Sequence, residues 1–177
     1  LPGPTPQDVL RRYHELTGPM AFPPKWALGL QQCRYSYYPE HELLSVARNF
    51  RSRNIPCDVL YLDIHYMDGY KVFTSDKNRF PNLKKMCGDL NEMGFRVVPI
   101  QDPGVKTEIG YDPYDRGLED NIFVRYPDGE HWVAGVWPGD CVFPDFTDPN
   151  ARIWWTKITA KWVEESGVNG LWNDMNE

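Results

Sequence analysis

Three aspartates stand where three apolar runs of the sequence end. Asp63 closes "DVLYLDI", Asp102 closes "FRVVPIQD" and Asp174 closes "VNGLWND". Near-continuous apolar runs of this length are typical of strands buried in a parallel sheet. The carboxyl ends of parallel strands meet at one edge, where α/β proteins collect their ligand sites. The sequence therefore predicts that the three carboxylates converge on one pocket.

The aromatic residues near these strand ends indicate what the pocket would bind. A single strand-end aspartate often only caps a helix or holds a loop. Here Tyr66, Trp137 and Trp172 flank the three aspartates, and the chain has 7 Trp and 10 Tyr. Carboxylates accept hydrogen bonds from hydroxyl groups, and aromatic faces pack against C–H surfaces. A polyhydroxylated ring, such as a sugar, fits both features.

A metal site is the main alternative for an acidic pocket. Asp63 and His65 alternate in "DIH", but alternation along a strand sends their side chains to opposite faces. His65 is therefore expected to hold a loop by hydrogen bonding. The four cysteines are scattered without a C-x-x-C pair, which disfavours a zinc site.

Composition excludes several other classes of protein. Of the 177 residues, 41% are hydrophobic and 25% are charged, which is typical of a folded globular domain. The net charge of -6 disfavours a nucleic-acid partner, which needs clustered Lys and Arg. No apolar run approaches the roughly 20 residues of a membrane-spanning helix, so no membrane partner is expected.

The elements that must position the aspartates alternate along the chain. A Pro-rich lead-in over residues 1–25, with a short helical pattern in its middle, is expected to wrap onto a domain at 26–177. A strand-like "WALGLQQCRYS" follows, and the three runs that end in aspartate supply the other strands. Three helical patterns separate the four strands: "PEHELLSVARNFRSRNI", "NLKKMCGDLNEMG" and "DPNARIWWTKITAKWVEESG".

Signals at the helix ends and the length of one connection complete this prediction. Gly94 is placed to end the second helix, and Asp148 with Pro149 to begin the third. An irregular stretch over residues 104–149 follows the third strand and far exceeds the usual βα loop of about 2–6 residues. Connections of such length are usually functional.

Amphipathic helices between apolar strands predict an α/β fold with a parallel sheet covered by helices. Four strands fit either half of a (β/α)8 barrel or a small doubly wound sheet. No G-x-G-x-x-G follows any strand, which disfavours the nucleotide-binding version.

Several blocks of the sequence resemble one family. "GLWNDMNE" resembles the W-x-D-M-N-E signature of glycoside hydrolase family 31, the α-glucosidase family. The family's other blocks occur in the family's order and cover nearly the whole chain: "PPKWALGLQQCRYSY", "YLDIHYMDGYKVFT", "VVPIQDPGV" and "GVWPGDCVFPDFTDP".

The resemblance implies the first half, about four βα units, of a TIM-type (β/α)8 barrel, with a long insertion after the third strand. It implies a retaining, exo-acting α-glucosidase that removes terminal glucose from malto- or isomalto-oligosaccharides, with no metal or organic cofactor. Asp174 matches the catalytic nucleophile, and Asp63 matches the aspartate that holds glucose hydroxyls, with Ile64 beside it. The residues that match the lining of the first sugar pocket are Tyr35, Ile100, Trp137, Trp172 and Met175.

The second catalytic carboxyl group is the missing part. A retaining glycosidase needs two carboxyl groups about 5–5.5 Å apart, one as nucleophile and one as acid/base. The resemblance places the acid/base beyond Glu177 and gives Asp102 and Glu177 supporting roles, so the chain without the remaining half of the barrel is expected to be inactive. The alternatives are a non-catalytic carbohydrate-binding fragment and an α-glucosyltransferase or α-xylosidase of the same family, although "WNDMNE" favours glucose.

Overall fold

Residues 2–176 are described by a computed structural model, in which helices and strands alternate. The five α-helices of this described part, α1 to α5, are Pro6–Thr17, Glu40–Ser52, Leu83–Glu92, Asp112–Glu119 and Pro149–Ser166. Its seven strands, β1 to β7, are Gln31–Gln32, Val59–Leu62, Arg96–Gln101, Val105–Lys106, Val133–Val136, Gly139–Val142 and Trp172–Asn173.

The main sheet has four parallel strands in the order β1-β2-β3-β7. Helices α2, α3 and α5 each lie in the chain between two consecutive strands of this sheet. A parallel sheet whose neighbouring strands are joined in sequence order through helices is one arc of a (β/α)8 barrel. The predicted α/β half-barrel is therefore confirmed. The alternative, a doubly wound sheet, does not fit this strand order.

Capping residues begin and end the crossover helices, at Asp148 and Gly94 as the sequence indicated and also at Asn82. The Asn82 side chain accepts a hydrogen bond from the Lys85 N–H at 2.9 Å at the start of α3. The Asp148 side chain accepts from the Asn150 N–H at 2.8 Å, and Pro149 occupies the first position of α5. These bonds satisfy backbone N–H groups that have no partner inside the helix. Gly94, just past α3, has a φ of 83°, which only glycine adopts without strain.

The hydrophobic core fills the space between the outer face of the parallel sheet and its helices. Burial of these apolar side chains is the main favourable contribution to folding. The fully buried members contributed by the sheet and by α2 and α3 include Leu43, Leu60, Leu62, Val97 and Leu90.

Two predicted strands are shorter in the structure than in the sequence pattern. Residues Lys25–Leu28 form a short 3-10 helix, so only Gln31–Gln32 of the first apolar run pairs as β1. In the last run only Trp172–Asn173 pairs, as β7. Both are edge strands of the described sheet, and a ladder supported from one side only breaks off early.

The insertion predicted as irregular is instead folded. It carries α4 and a second, antiparallel sheet in the order β4-β6-β5. Trp137 and Pro138 form the two-residue turn between β5 and β6, and Gly139 leaves it with a φ of 98°. Strands of two to four residues interrupted by Gly and Pro carry too little alternation for sequence periodicity to detect.

Helix α1 contains no buried residue. Its apolar side chains Val9, Leu10, Tyr13 and Leu16 are all exposed. No helix within residues 2–176 combines the length and the apolar character needed to cross a membrane.

Candidate active site

The pairing of β2, β3 and β7 aligns three predicted site residues in one row. Leu62 pairs with Pro99, so Asp63, the next residue, lies beside Ile100. Ile100 in turn pairs with Trp172. Paired residues of parallel strands project to the same face of a sheet. Asp63, Ile100 and Trp172 therefore share the inner face, opposite the helices.

The other two aspartates lie two residues beyond Ile100 and Trp172. Gln101 pairs with Asn173, and the Asp174 N–H donates to the Gln101 carbonyl at 3.4 Å. This bond extends the ladder and places Asp102 beside Asp174. The structure thus brings the three strand-end aspartates together at the carboxyl edge of three adjacent strands.

Asp63 also has a local structural role. Its carboxylate accepts a hydrogen bond from the Ile64 N–H at 2.7 Å and caps the short 3-10 helix Ile64–Tyr66. The side chain is only half-buried, so the capping bond fixes one carboxylate oxygen at an accessible edge. The capping interpretation and the binding interpretation of this aspartate are compatible.

Asp102 is the most perturbed carboxyl group of the three. It is 5% exposed, and within residues 2–176 its Oδ1 has no hydrogen-bond partner. Burial, with added repulsion from the negative charges of Asp174 and Asp63, raises the pKa of Asp102 to about 6. A carboxyl group of this kind keeps a proton in mildly acidic solution and can then donate a hydrogen bond to a neighbouring carboxylate.

Each of the two predicted tryptophans of the site packs against a tyrosine. The ring of Trp172 meets Tyr61 edge-on, with ring centroids 5.9 Å apart, and the Tyr61 hydroxyl donates to Gln31 Oε1 at 2.5 Å. Trp137, in the turn between β5 and β6, is 49% exposed and packs against Tyr70 with ring centroids 6.5 Å apart. Exposed indole and phenol faces suit the C–H surface of a sugar ring.

The remaining predicted lining residues differ in exposure. Tyr35 is 62% exposed, and Met175 is also exposed, with a φ of 57° directly after Asp174. This left-handed conformation is unfavourable for a residue with a side chain, and it turns the chain sharply beyond the carboxylate. Ile64 and Ile100, by contrast, are buried beneath the edge. Glu177 lies outside the described residues.

His65 does not join Asp63 in a metal site. It is buried, and its Nδ1 lies 2.9 Å from the Ser36 hydroxyl, which agrees with the expected hydrogen-bonding role. Within residues 2–176 no group of three His, Cys, Asp or Glu side chains is placed to hold a metal ion. Of the residues around His65, sequence reasoning named Tyr35 and missed Ser36, Tyr38 and Tyr70, although the run "YSYY" at 35–38 was a signal for two of them.

A cavity of about 240 Å³ lies away from this edge, between the insertion and α5. Its lining includes Lys71, Glu108, Tyr111 and Trp162, and the Lys71 ammonium pairs with Glu108 at 2.9 Å. None of the three strand-end aspartates lines it. Its other lysine, Lys161, lies 3.9 Å from Glu165. Because both lysines are already paired with glutamates, this cavity offers less for a sugar than the aspartates do.

Comparison with known protein families identifies the family. Residues 20–177 match the family described as "Glycosyl hydrolases family 31 TIM-barrel domain". The chain belongs to glycosyl hydrolase family 31. The family's barrel domain accounts for the parallel sheet, its helices and the insertion within the matched residues.

Individual family 31 proteins are similar over almost the whole chain. Alpha-glucosidase 2 of Bacillus thermoamyloliquefaciens is 52% identical over 175 residues, which are 99% of this chain and 22% of that protein. A crystal structure of the glucosidase II alpha subunit with alpha3-Glc2 bound is 35% identical, with a TM-score of 0.90, over 98% of this chain and 19% of that one. A dextranase of Flavobacterium johnsoniae complexed with glucose is 34% identical, with a TM-score of 0.85, over 98% of this chain and 21% of that one.

These relatives are much longer than the present chain. The chain spans about a fifth of the length of each of the three. It is therefore homologous to α-glucosidases of family 31 over one part of their catalytic barrel.

Proposed function

We propose that this chain carries the nucleophile of a retaining, exo-acting α-glucosidase, which hydrolyses terminal α-linked glucose through a covalent glucosyl-enzyme on Asp174. The observation that carries the proposal is the position of Asp174. It lies on the family's W-x-D-M-N-E motif, at the carboxyl edge of the sheet, beside Asp102 and near Asp63. Membership of family 31 supports it.

In the first step a carboxylate oxygen of Asp174 attacks the anomeric carbon of the terminal glucose, and the bond from that carbon to the leaving oxygen breaks. The leaving oxygen takes a proton from the acid/base carboxyl group. Water then attacks the same carbon, gives a proton to that group and releases Asp174, so the anomeric configuration is retained. We place the acid/base in the remaining half of the barrel, which makes that half an obligatory partner.

The other site residues take binding roles in this proposal. Asp63 accepts hydrogen bonds from hydroxyl groups of the terminal glucose, and Ile64 positions it through the capping bond. Tyr35, Trp137, Trp172 and Met175 pack against the sugar ring, and Ile100 supports Trp172 from the neighbouring strand. Asp102 and Glu177 support the nucleophile, Asp102 by donating a hydrogen bond when it is protonated.

The substrate class follows from these roles and from the names of the relatives. We propose a malto- or isomalto-oligosaccharide, because both an α-glucosidase and a dextranase are similar to this chain. An α-glucosyltransferase would use the same intermediate with a sugar as acceptor, and an α-xylosidase would need a pocket that excludes the glucose hydroxymethyl group. We also propose that the domain part begins near residue 26, after a lead-in whose helix α1 buries no residue.

A chimera tests the proposal. This chain replaces the matching segment of the Bacillus alpha-glucosidase 2, whose remaining barrel supplies the missing strands. We expect the chimera to hydrolyse a nitrophenyl α-glucoside and to retain the anomeric configuration, which NMR of the released glucose measures. Hydrolysis of the matching α-xyloside should be at least tenfold weaker. The Asp174→Asn chimera is the control for residual activity.

Two results would count against the proposal. A folded chimera that binds maltose without hydrolysing any glucoside would favour the carbohydrate-binding alternative. A preference for the α-xyloside would favour the α-xylosidase.

A further inference from the structure

The imidazole of His65 lies inside a group of three tyrosine rings. Tyr38 stacks on it with ring centroids 4.4 Å apart and an interplanar angle of 6°. Tyr35 and Tyr70 meet it edge-on at 5.1 Å and 5.7 Å. Aromatic pairs at these separations attract each other beyond the area they bury. One ring therefore holds three others that come from two different segments of the chain.

Hydrogen bonding fixes the orientation of this imidazole. Its Nδ1 lies 2.9 Å from the Ser36 hydroxyl, and the side chain is 9% exposed. The Arg79 guanidinium lies over the Tyr38 ring, and it donates to the His65 carbonyl at 3.4 Å. Burial and this cation lower the pKa of His65 more than the nearby Asp63 carboxylate raises it, so the ring is neutral at physiological pH.

The group connects directly to the proposed sugar site. His65 follows Asp63 by two residues, on the 3-10 helix that Asp63 caps. Tyr35 is one proposed wall of the site, and Tyr70 packs against Trp137, another proposed wall, at 6.5 Å. The outer rings are partly free, since Tyr35 and Tyr38 are both exposed. Their contacts with His65 are thus a main constraint on where their faces point.

We infer that His65 is a positioning residue of the active site, which holds Tyr35 directly and Trp137 through Tyr70. It sets the affinity for the glucoside through these aromatic walls and does not touch the sugar. The reacting carboxylate Asp174 lies on another strand, so His65 acts on substrate binding rather than on the chemical step. This inference rests on the proposed function of the site.

Three substitutions in the chimera separate the ring from its hydrogen bond. His65→Phe keeps an aromatic ring and loses the partner of Ser36. His65→Asn keeps a polar atom for Ser36 and loses the ring, and His65→Ala loses both. His41→Ala is the matched control, because His41 is an exposed histidine at the start of α2.

We expect His65→Asn and His65→Ala to raise KM for a nitrophenyl α-glucoside about tenfold, with kcat changed by less than about threefold, because two or more aromatic contacts are lost. His65→Phe should keep KM within about threefold of the parent, and His41→Ala should change nothing. Rescue by phenylalanine distinguishes a ring that positions the walls from a histidine that titrates or transfers a proton. Unchanged KM in His65→Asn, a loss confined to kcat, or a phenylalanine variant no better than asparagine would overturn the inference.

A second measurement does not depend on activity. In the chimera with 13C-labelled tyrosine, the ring signals of Tyr35, Tyr38 and Tyr70 should move towards unstructured values in His65→Asn and stay dispersed in His65→Phe. Signals unchanged in His65→Asn would overturn the inference. An inactive parent chimera with this pattern of shifts would instead count against the proposed function and leave the positioning role of His65 supported.

Discussion

Asp102 and Asp174 are neighbours at the ends of adjacent parallel strands, and the charge of Asp174 helps to raise the pKa of Asp102 to about 6. The negative charge of Asp174 adds to burial in disfavouring the ionised form of Asp102. The pairing of β3 with β7 therefore also brings the carboxyl groups of Asp102 and Asp174 within electrostatic influence of each other. This is the edge of the sheet where we propose that the nucleophile acts.

The raised pKa of Asp102, which comes mainly from burial, predicts how stability depends on pH. The pKa of Asp102 is raised above its ordinary value of 3.8, so the folded state holds a proton that the unfolded chain has released. Its stabilising contribution is full below about pH 4 and is lost as the pH rises through about 6. Asp102→Asn, which mimics the protonated group, should therefore raise the stability of the chimera at pH 7 by on the order of 1 kcal/mol, with no gain at pH 4. Scanning calorimetry at both pH values measures this.

Asp145 provides a control of opposite sign. Hydrogen bonds from the Thr147 hydroxyl and N–H lower the pKa of Asp145, so its contribution is present at neutral pH and is lost as the pH falls through the folded-state pKa. Asp145→Asn should not stabilise the chimera at pH 7. A stabilisation equal to that of Asp102→Asn would show that the effect comes from net charge and not from burial.

The two roles of Asp63 can be separated by two substitutions. Asp63→Asn keeps an oxygen that accepts from the Ile64 N–H, whereas Asp63→Ala removes the cap as well. Both should raise KM for a glucoside at least tenfold, because each removes a charged acceptor for sugar hydroxyl groups. Only Asp63→Ala should also lower stability, by about 1 kcal/mol. Steady-state kinetics and thermal unfolding of the chimera measure the two effects.

Asn82→Ala is the matched control for the cap. It removes the hydrogen bond at the start of α3, far in sequence from the carboxylates, and should lower stability with no change in KM. If Asp63→Asn left KM unchanged, Asp63 would be a structural cap and not a ligand for glucose.

Sequence reasoning predicted the repeating elements because their signals are local. Each apolar run supplies a parallel strand, in whole or in part, and Asp148 and Gly94 lie where capping chemistry placed them. The convergence of the aspartates also followed from sequence, since parallel strands connected by helices must end at one edge. For this reason the positions of Asp63, Asp102 and Asp174 at the strand ends could be predicted without knowing which residues surround them.

The parts that sequence did not predict depend on contacts between distant segments. The lengths of β1 and β7 depend on which strands pair with them, and the apolar pattern of the sequence contains no information on that pairing. The antiparallel sheet of the insertion consists of strands too short to show a pattern. The rings around His65 come from residues 35–38 and from residue 70, so only the folded chain reveals their arrangement.

The chain alone should self-associate. Within the described sheet, β1 and β7 are edge strands, and Phe22, Leu28 and Leu30 are exposed apolar side chains in the segment that leads to β1. Unpaired strand edges beside apolar surface pair readily with other chains. Sedimentation velocity at increasing concentration should show species larger than the 20.6 kDa monomer. A monodisperse monomer with sharp cooperative unfolding would contradict this prediction.

The chain alone should also show no useful turnover of a nitrophenyl α-glucoside, because we place the acid/base carboxyl group of the required pair in the remaining half of the barrel. Addition of the separately expressed remaining half of the Bacillus relative should restore hydrolysis, with the Asp174→Asn chain as the control. Turnover by the chain alone that approached that of a full-length relative would mean that an acid/base lies within these residues.

Covalent trapping of the nucleophile tests the central proposal most directly. In a fluorinated α-glucosyl fluoride the leaving group needs little acid assistance, and the ring fluorine slows hydrolysis of the intermediate, so an attacking carboxylate stays bonded to the anomeric carbon as fluoride departs. Mass spectrometry of the treated chimera should find one fluoroglucosyl group, on the peptide that contains Asp174, and none in the Asp174→Asn variant. A label on Asp63, on Asp102 or on any other residue of an active chimera would contradict the assignment of Asp174 as the nucleophile.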